Sequence, residues 1–85
     1  MGLELVTLVQ RLEDDFEIII SDEDATKMKT PRDVIEFISS HPKVAGQWSK
    51  EYVEITVWMA VEDELGIDKD RFNDDSRFVE DMGAG

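Results

Sequence analysis

The chain has no cysteine, which excludes disulfides, thiolate nucleophiles and sulfur-ligated metal sites. It has no apolar run near the ~18 residues that a membrane span requires, and its N-terminus lacks the basic region of a signal peptide. A soluble, cytoplasmic protein is expected. Bases are scarce: 9 Lys and Arg stand against 21 Asp and Glu, a formal charge of −12. That deficit argues against nucleic acid and anionic membranes and favours basic protein surfaces as partners. It also makes the fold repel itself, so stability should depend on salt. The single histidine, His41, lies beside Pro42 with no cysteine to activate and no triad to join. Carboxylates are plentiful, but acid–base chemistry needs them converging in a cleft with separated pKa values, and no spacing here places them so. The expectation is a non-enzyme.

What is present is one small domain, residues 1–85, with 41% apolar residues for a single modest core. From Leu3, the residues Leu5, Val6, Leu8, Val9, Leu12 and Phe16 recur at spacings of three and four, which predicts an amphipathic helix with a broad buried face. Met1 and Gly2 supply no capping oxygen, so its first turn should fray, at a cost of about 1 kcal/mol. Ile18, Ile19 and Ile20 have strand propensity but nothing obvious to pair with, and are read as an apolar loop that plugs the core. Ser21 and Asp24 have capping-box spacing and start a short helix to about Lys27. Thr30-Pro31-Arg32-Asp33 is a stronger start, with a Thr cap, proline at the first helical position and an acid at the third. The helix it opens buries Val34, Ile35, Phe37 and Ile38 and stops before His41-Pro42.

Residues 41–49 carry Pro42 and Gly46 without periodicity and read as a linker pinned by Trp48. Residues 52–58 alternate like a strand, yet Val53, Val57, Ala60, Val61 and Leu65 mark one helical face, Ser49 can cap, and Gly66 is a stop. We read a helix from Ser49 to Leu65. An acidic loop follows to Asp81, anchored by Ile67, Phe72, Phe78 and Val79. A structureless loop of such length in a compact domain usually has a functional reason. The last residues, Gly83 to Gly85, are expected to be flexible. An EF-hand reading from Asp68 fails, because Phe72, Asn73 and Val79 occupy positions five, six and twelve of the loop. No specific metal site is expected: the acids read as a solvated surface, with weak, unspecific divalent binding among Glu13, Asp14, Asp15, Asp22, Glu23 and Asp24 and around Asp74, Asp75, Glu80 and Asp81 as the alternative.

Read cyclically, DSRFVEDMGA at the C-terminal end leads into the N-terminal helix, and the joined text resembles the centre of an acyl carrier protein. The stretches LVTLVQRLEDDFEI, ISDEDATKM and TPRDVIEFI resemble that family's second, third and fourth helices, and VWMAVEDELGID resembles its first. Residues 1–40 thus correspond to family helices 2 to 4, 41–49 to a new linker, and 50–85 to helix 1 and the long loop. The resemblance implies an all-α fold, a small antiparallel helical bundle, circularly permuted and opened at the serine that carries 4'-phosphopantetheine. Gly2 falls at the place of that serine, Gly85 at the aspartate before it and Leu3 at the leucine after it. Neither glycine has a hydroxyl, so no cofactor is expected on this chain.

The resemblance further implies a place in fatty acid or polyketide biosynthesis. Glu4, Glu13 and Asp14 would face basic patches on the partner enzymes, while Thr7 and Gln10 depart from the family pattern and should weaken that contact. A reading from another class is a small acidic binding or inhibitor module. Because residues 41–49 alone join the halves, the expected assembly is a monomer or a domain-swapped dimer.

Overall fold

The computed structural model describes residues 3–84, and for Leu3 the backbone only. Among the described residues the fold is all-helical, with no strand. Four α-helices follow in order: α1, Leu3–Phe16; α2, Asp22–Thr26; α3, Pro31–Ser40; and α4, Lys50–Leu65. A single 3₁₀ turn, Lys69–Arg71, interrupts the long loop, and the Asp68 side chain accepts from the Asp70 amide at its start. None of these helices is long and apolar enough to cross a membrane.

The local chemistry explains the boundaries. Ser21 Oγ accepts from the Asp24 amide and starts α2. At α3 the capping box is complete: Thr30 Oγ1 accepts from the Asp33 amide, and the Asp33 carboxylate accepts from the Thr30 and Lys29 amides. Ser49 Oγ accepts from the Tyr52 amide and opens α4. Gly66, at φ 65°, closes it in the left-handed geometry that glycine adopts without a Cβ penalty. α1 ends less comfortably, on Glu17 at φ 53°, where an L-residue pays roughly 1–2 kcal/mol. What holds the chain there is Glu13: its carbonyl accepts from the Ile18 amide and its carboxylate from the Ile20 amide, at 3.1 and 2.9 Å. The two bonds fix the Ile loop so that Ile18 and Ile20 enter the core and Ile19 faces water. The three isoleucines alternate as a strand would, without a strand partner.

α4 packs on both α1 and α3. Its inner side is Val53, Val57, Ala60 and Val61, set against Leu5, Leu8, Leu12, Val34, Ile35 and Ile38 in one continuous core. Burying such side chains contributes about 1.5–3 kcal/mol each and outweighs the strand propensity of residues 52–58. Arg11 ties the α1–α4 seam at its edge, bonding Asp63 at 2.9 Å and Glu64 at 3.3 Å on α4 as well as Asp15 on α1. The bond to Asp63 is the main reason that its guanidinium binds its proton more tightly than usual.

Several expectations are corrected. The linker is anchored by Val44, which is fully buried, as well as by Trp48, whose half-buried ring sits 5.4 Å from Phe16 and 4.6 Å from Tyr52. Residues 41–49 are not featureless either. Amides of Val44, Ala45, Gln47 and Trp48 close successive turns onto the carbonyls of His41 and Val44. Val6 lies at the edge of the buried face of α1 and is exposed. Ala84 is docked rather than loose: it is buried, and its amide donates to the Phe78 carbonyl at 2.8 Å.

Candidate functional site

The long loop returns to the helices at three points, and these build the site. Asp74 is first. Its carbonyl accepts from the Arg32 amide in the first turn of α3 (2.9 Å), and its carboxylate accepts from the Trp58 indole (2.8 Å). Asp75 is second, receiving both arms of the Arg32 guanidinium at 2.7 and 3.3 Å. Phe78 is third. Its amide donates to the Lys29 carbonyl at 2.9 Å, and its ring is buried to 1% exposure, whereas Val79 is 56% exposed. Only one of the two expected anchors at 78–79 therefore enters the core.

Where Phe78 enters, the loop, the start of α1 and the α2–α3 corner enclose a cleft of ≈ 350 Å³. Its apolar walls are Leu5, Ala25, Met28, Phe78 and Val79, and Lys29 and Arg77 stand among the residues that line it. The core behind these walls is closed: the void shared by Leu8, Leu12 and Val34 measures only ≈ 10 Å³, about one water. The cleft is thus a groove with a packed floor. An elongated apolar guest would have to displace Met28 or Phe78 to go deeper.

Arg77 organises the segment beyond Phe78. Its amide and guanidinium both bond Asp81, and it also pairs with Glu80. The Asp81 carboxyl is held below the usual carboxylate range, first by the Arg77 amide and then by its guanidinium. Asp75 is held low by its bond to Arg32. Since both folded pKa values lie below the unfolded value of ~3.9, these groups stabilise the fold fully above that pH, and their contribution is lost as pH falls through the folded values. Acid unfolding below about pH 4 should therefore be shallower in an Asp75→Asn, Asp81→Asn double variant than in the parent, as read from denaturation curves across pH. Parallel acid limbs for the two proteins would refute this.

The residues that the resemblance singles out fall as follows. Gly2 and Gly85 lie outside the described residues. Leu3 begins α1, and Leu5, two positions on, shares the cleft with Phe78. Glu4 and Asp14 are exposed with Thr7 and Gln10 on the outward side of α1. Glu13 is nine residues from Glu4, about half a turn round the helix, and its carboxylate is engaged by the Ile20 amide. The structure thus brings Glu4 and Asp14 to one face and takes Glu13 into the fold. Among the serines, Ser21 and Ser49 are caps, Ser40 donates to the Phe37 carbonyl, Ser76 accepts from the Asn73 amide, and Ser39 Oγ is enclosed.

Among the described residues, no group of three or more His, Asp or Glu side chains is arranged to hold a metal ion. Sequence reasoning missed Met28, Lys29 and Arg77 as cleft residues. The three-residue step from Ala25 to Met28 was the available signal for Met28. No protein-family model matches this chain, and no solved structure gives a significant match.

Proposed function

We propose that the chain is an acyl-carrier-like domain in circularly permuted order, acting in the cytoplasm as a non-enzymatic scaffold that engages basic surfaces of acyl-processing enzymes without carrying phosphopantetheine. The observation that carries this reading is the convergence at the cleft. Leu5 of α1 and Phe78 of the last loop share its wall, and Ala84 folds back to bond Phe78. The reading requires Ala84 and Leu3 to be neighbours, and a shared cleft wall of Leu5 and Phe78 supports it without measuring that separation. The absence of a hydroxyl at Gly2 and Gly85 supports the loss of the attachment site, and the engagement or enclosure of the serines described above supports it further. In this reading Glu4 and Asp14 are the partner-facing acids and Glu13 is a structural one. The assembly is a monomer or a dimer that exchanges α4 across the 41–49 linker.

A second reading, a small acidic binding or inhibitor module, draws on the charge of −12 and needs no carrier ancestry. One experiment separates them. The chain is incubated with a phosphopantetheinyl transferase and coenzyme A, and both complex formation and mass are followed. The carrier-like reading expects a complex that salt weakens and an unchanged mass. Failure to bind the transferase argues for the second reading, and a gain in mass refutes the loss of the attachment site.

A further inference from the structure

α4 is apolar on both of its sides. Opposite the buried face, Tyr52, Ile55 and Met59 stand one above another at spacings of three and four, exposed to 52%, 58% and 55%. Trp48, packed on Tyr52 with 4.6 Å between ring centroids and the rings tilted by 57°, lengthens the row at its N-terminal end. A helix facing water on one side is normally polar there, and a contiguous apolar row on a small, highly charged protein marks a surface that is covered in use. Glu51 lies beside the row. Glu62 and Asp63 follow it on the next turn, Asp63 also pairing with Arg11. A second copy of the chain would bring these acids against their own equivalents, between two molecules each of charge −12.

We propose that this outer face of α4 is the docking site for a basic amphipathic helix of a partner protein. The partner's apolar side lies over Tyr52, Ile55 and Met59, and its Lys or Arg residues reach Glu51 and Glu62. The site stands whether or not the chain is carrier-like, since that reading concerns α1 and the cleft.

The test exploits a conflict of sign. An amphipathic leucine–lysine peptide about four turns long is titrated into the protein, with Trp48 fluorescence reporting from the end of the row. In an Ile55→Glu, Met59→Glu variant, charge attraction alone predicts tighter binding, because two negative charges are added. Docking on the apolar row predicts binding weaker by roughly tenfold or more. A neutral Ile55→Gln, Met59→Gln variant must weaken binding as well, which keeps the test valid if the acidic variant does not fold. Val6→Glu, an exposed site on α1, must not weaken it. Unchanged or tighter binding by the neutral variant, or by a folded acidic one, overturns the proposal. So does self-association of the parent in sedimentation equilibrium that the neutral variant abolishes, since the row would then be covered by a second copy.

Discussion

Replacing Phe78 with alanine is expected to remove about 3–5 kcal/mol of stability, although the residue lies seven positions from the end of the chain. The ring is among the largest fully buried groups in the molecule. It lines the same cleft as Leu5 and Met28, against the inner side of α1. The loss is compounded by position. Phe78 carries two backbone bonds, its amide to the Lys29 carbonyl and its carbonyl from the Ala84 amide, so a loosened ring also releases residues 79–84. A domain of this size has roughly 4–13 kcal/mol in total, and the variant should be marginal at 37 °C. The neighbouring Val79→Ala, at an exposed site, should stay within about 0.5 kcal/mol. Urea denaturation of both variants, with hydrogen exchange at the Ala84 amide, checks the contrast. Equal, small effects at 78 and 79 would mean that the loop is not anchored as described.

That pair also shows where the sequence was legible and where it was not. Helix starts could be read because they depend on a few adjacent atoms: Ser21, Thr30 with Asp33, and Ser49 cap where their spacing says they should. Most of the core side of α1, α3 and α4 followed from periodicity, including Val53, Val57, Ala60 and Val61 in a segment that also alternates like a strand, but Val6 is exposed and the buried Trp58 was not on the marked face. The acidic loop could not be read in this way. Which of Phe78 and Val79 points inward goes with tertiary contacts, the Phe78 ring in the core and its amide on Lys29, a residue 49 positions away, and no local pattern encodes them. For the same reason Ala84 was taken for a loose end, and Glu13 for a surface acid when its carboxylate closes the Ile loop. The cleft was only half visible: Leu5 and Phe78 were marked as apolar, but Met28, Lys29 and Arg77 reach it through tertiary packing. Tyr52, Ile55 and Met59 were hidden by a different effect. In a helix apolar all round, periodicity cannot tell the face that packs from the face that waits.

Trp58 is the second place where a large effect is expected, and there the effect should divide into two parts. Its indole is buried beside the core while Nε1 bonds the Asp74 carboxylate at 2.8 Å, so one side chain supplies both packing and the latch of the long loop. Trp58→Ala removes both and should cost about 3–5 kcal/mol. Trp58→Phe keeps most of the packing and leaves the half-buried Asp74 without its indole donor, at an expected cost of about 1–3 kcal/mol. Asp74→Ala removes the acceptor from the same bond. If the latch is that bond, Asp74→Ala should cost less in the Trp58→Phe background than in the parent, by about 1 kcal/mol or more. Equilibrium denaturation of the four proteins in this cycle measures the difference. Strict additivity would show that Trp58 acts through packing alone and that the Arg32 contacts to Asp74 and Asp75 hold the loop without it. A measured coupling would instead join α4 to the first turn of α3 through Asp74, whose carbonyl already accepts the Arg32 amide. The long loop would then be a structural strut between two helices, and its length would follow from the distance it has to span before Phe78 can reach the core.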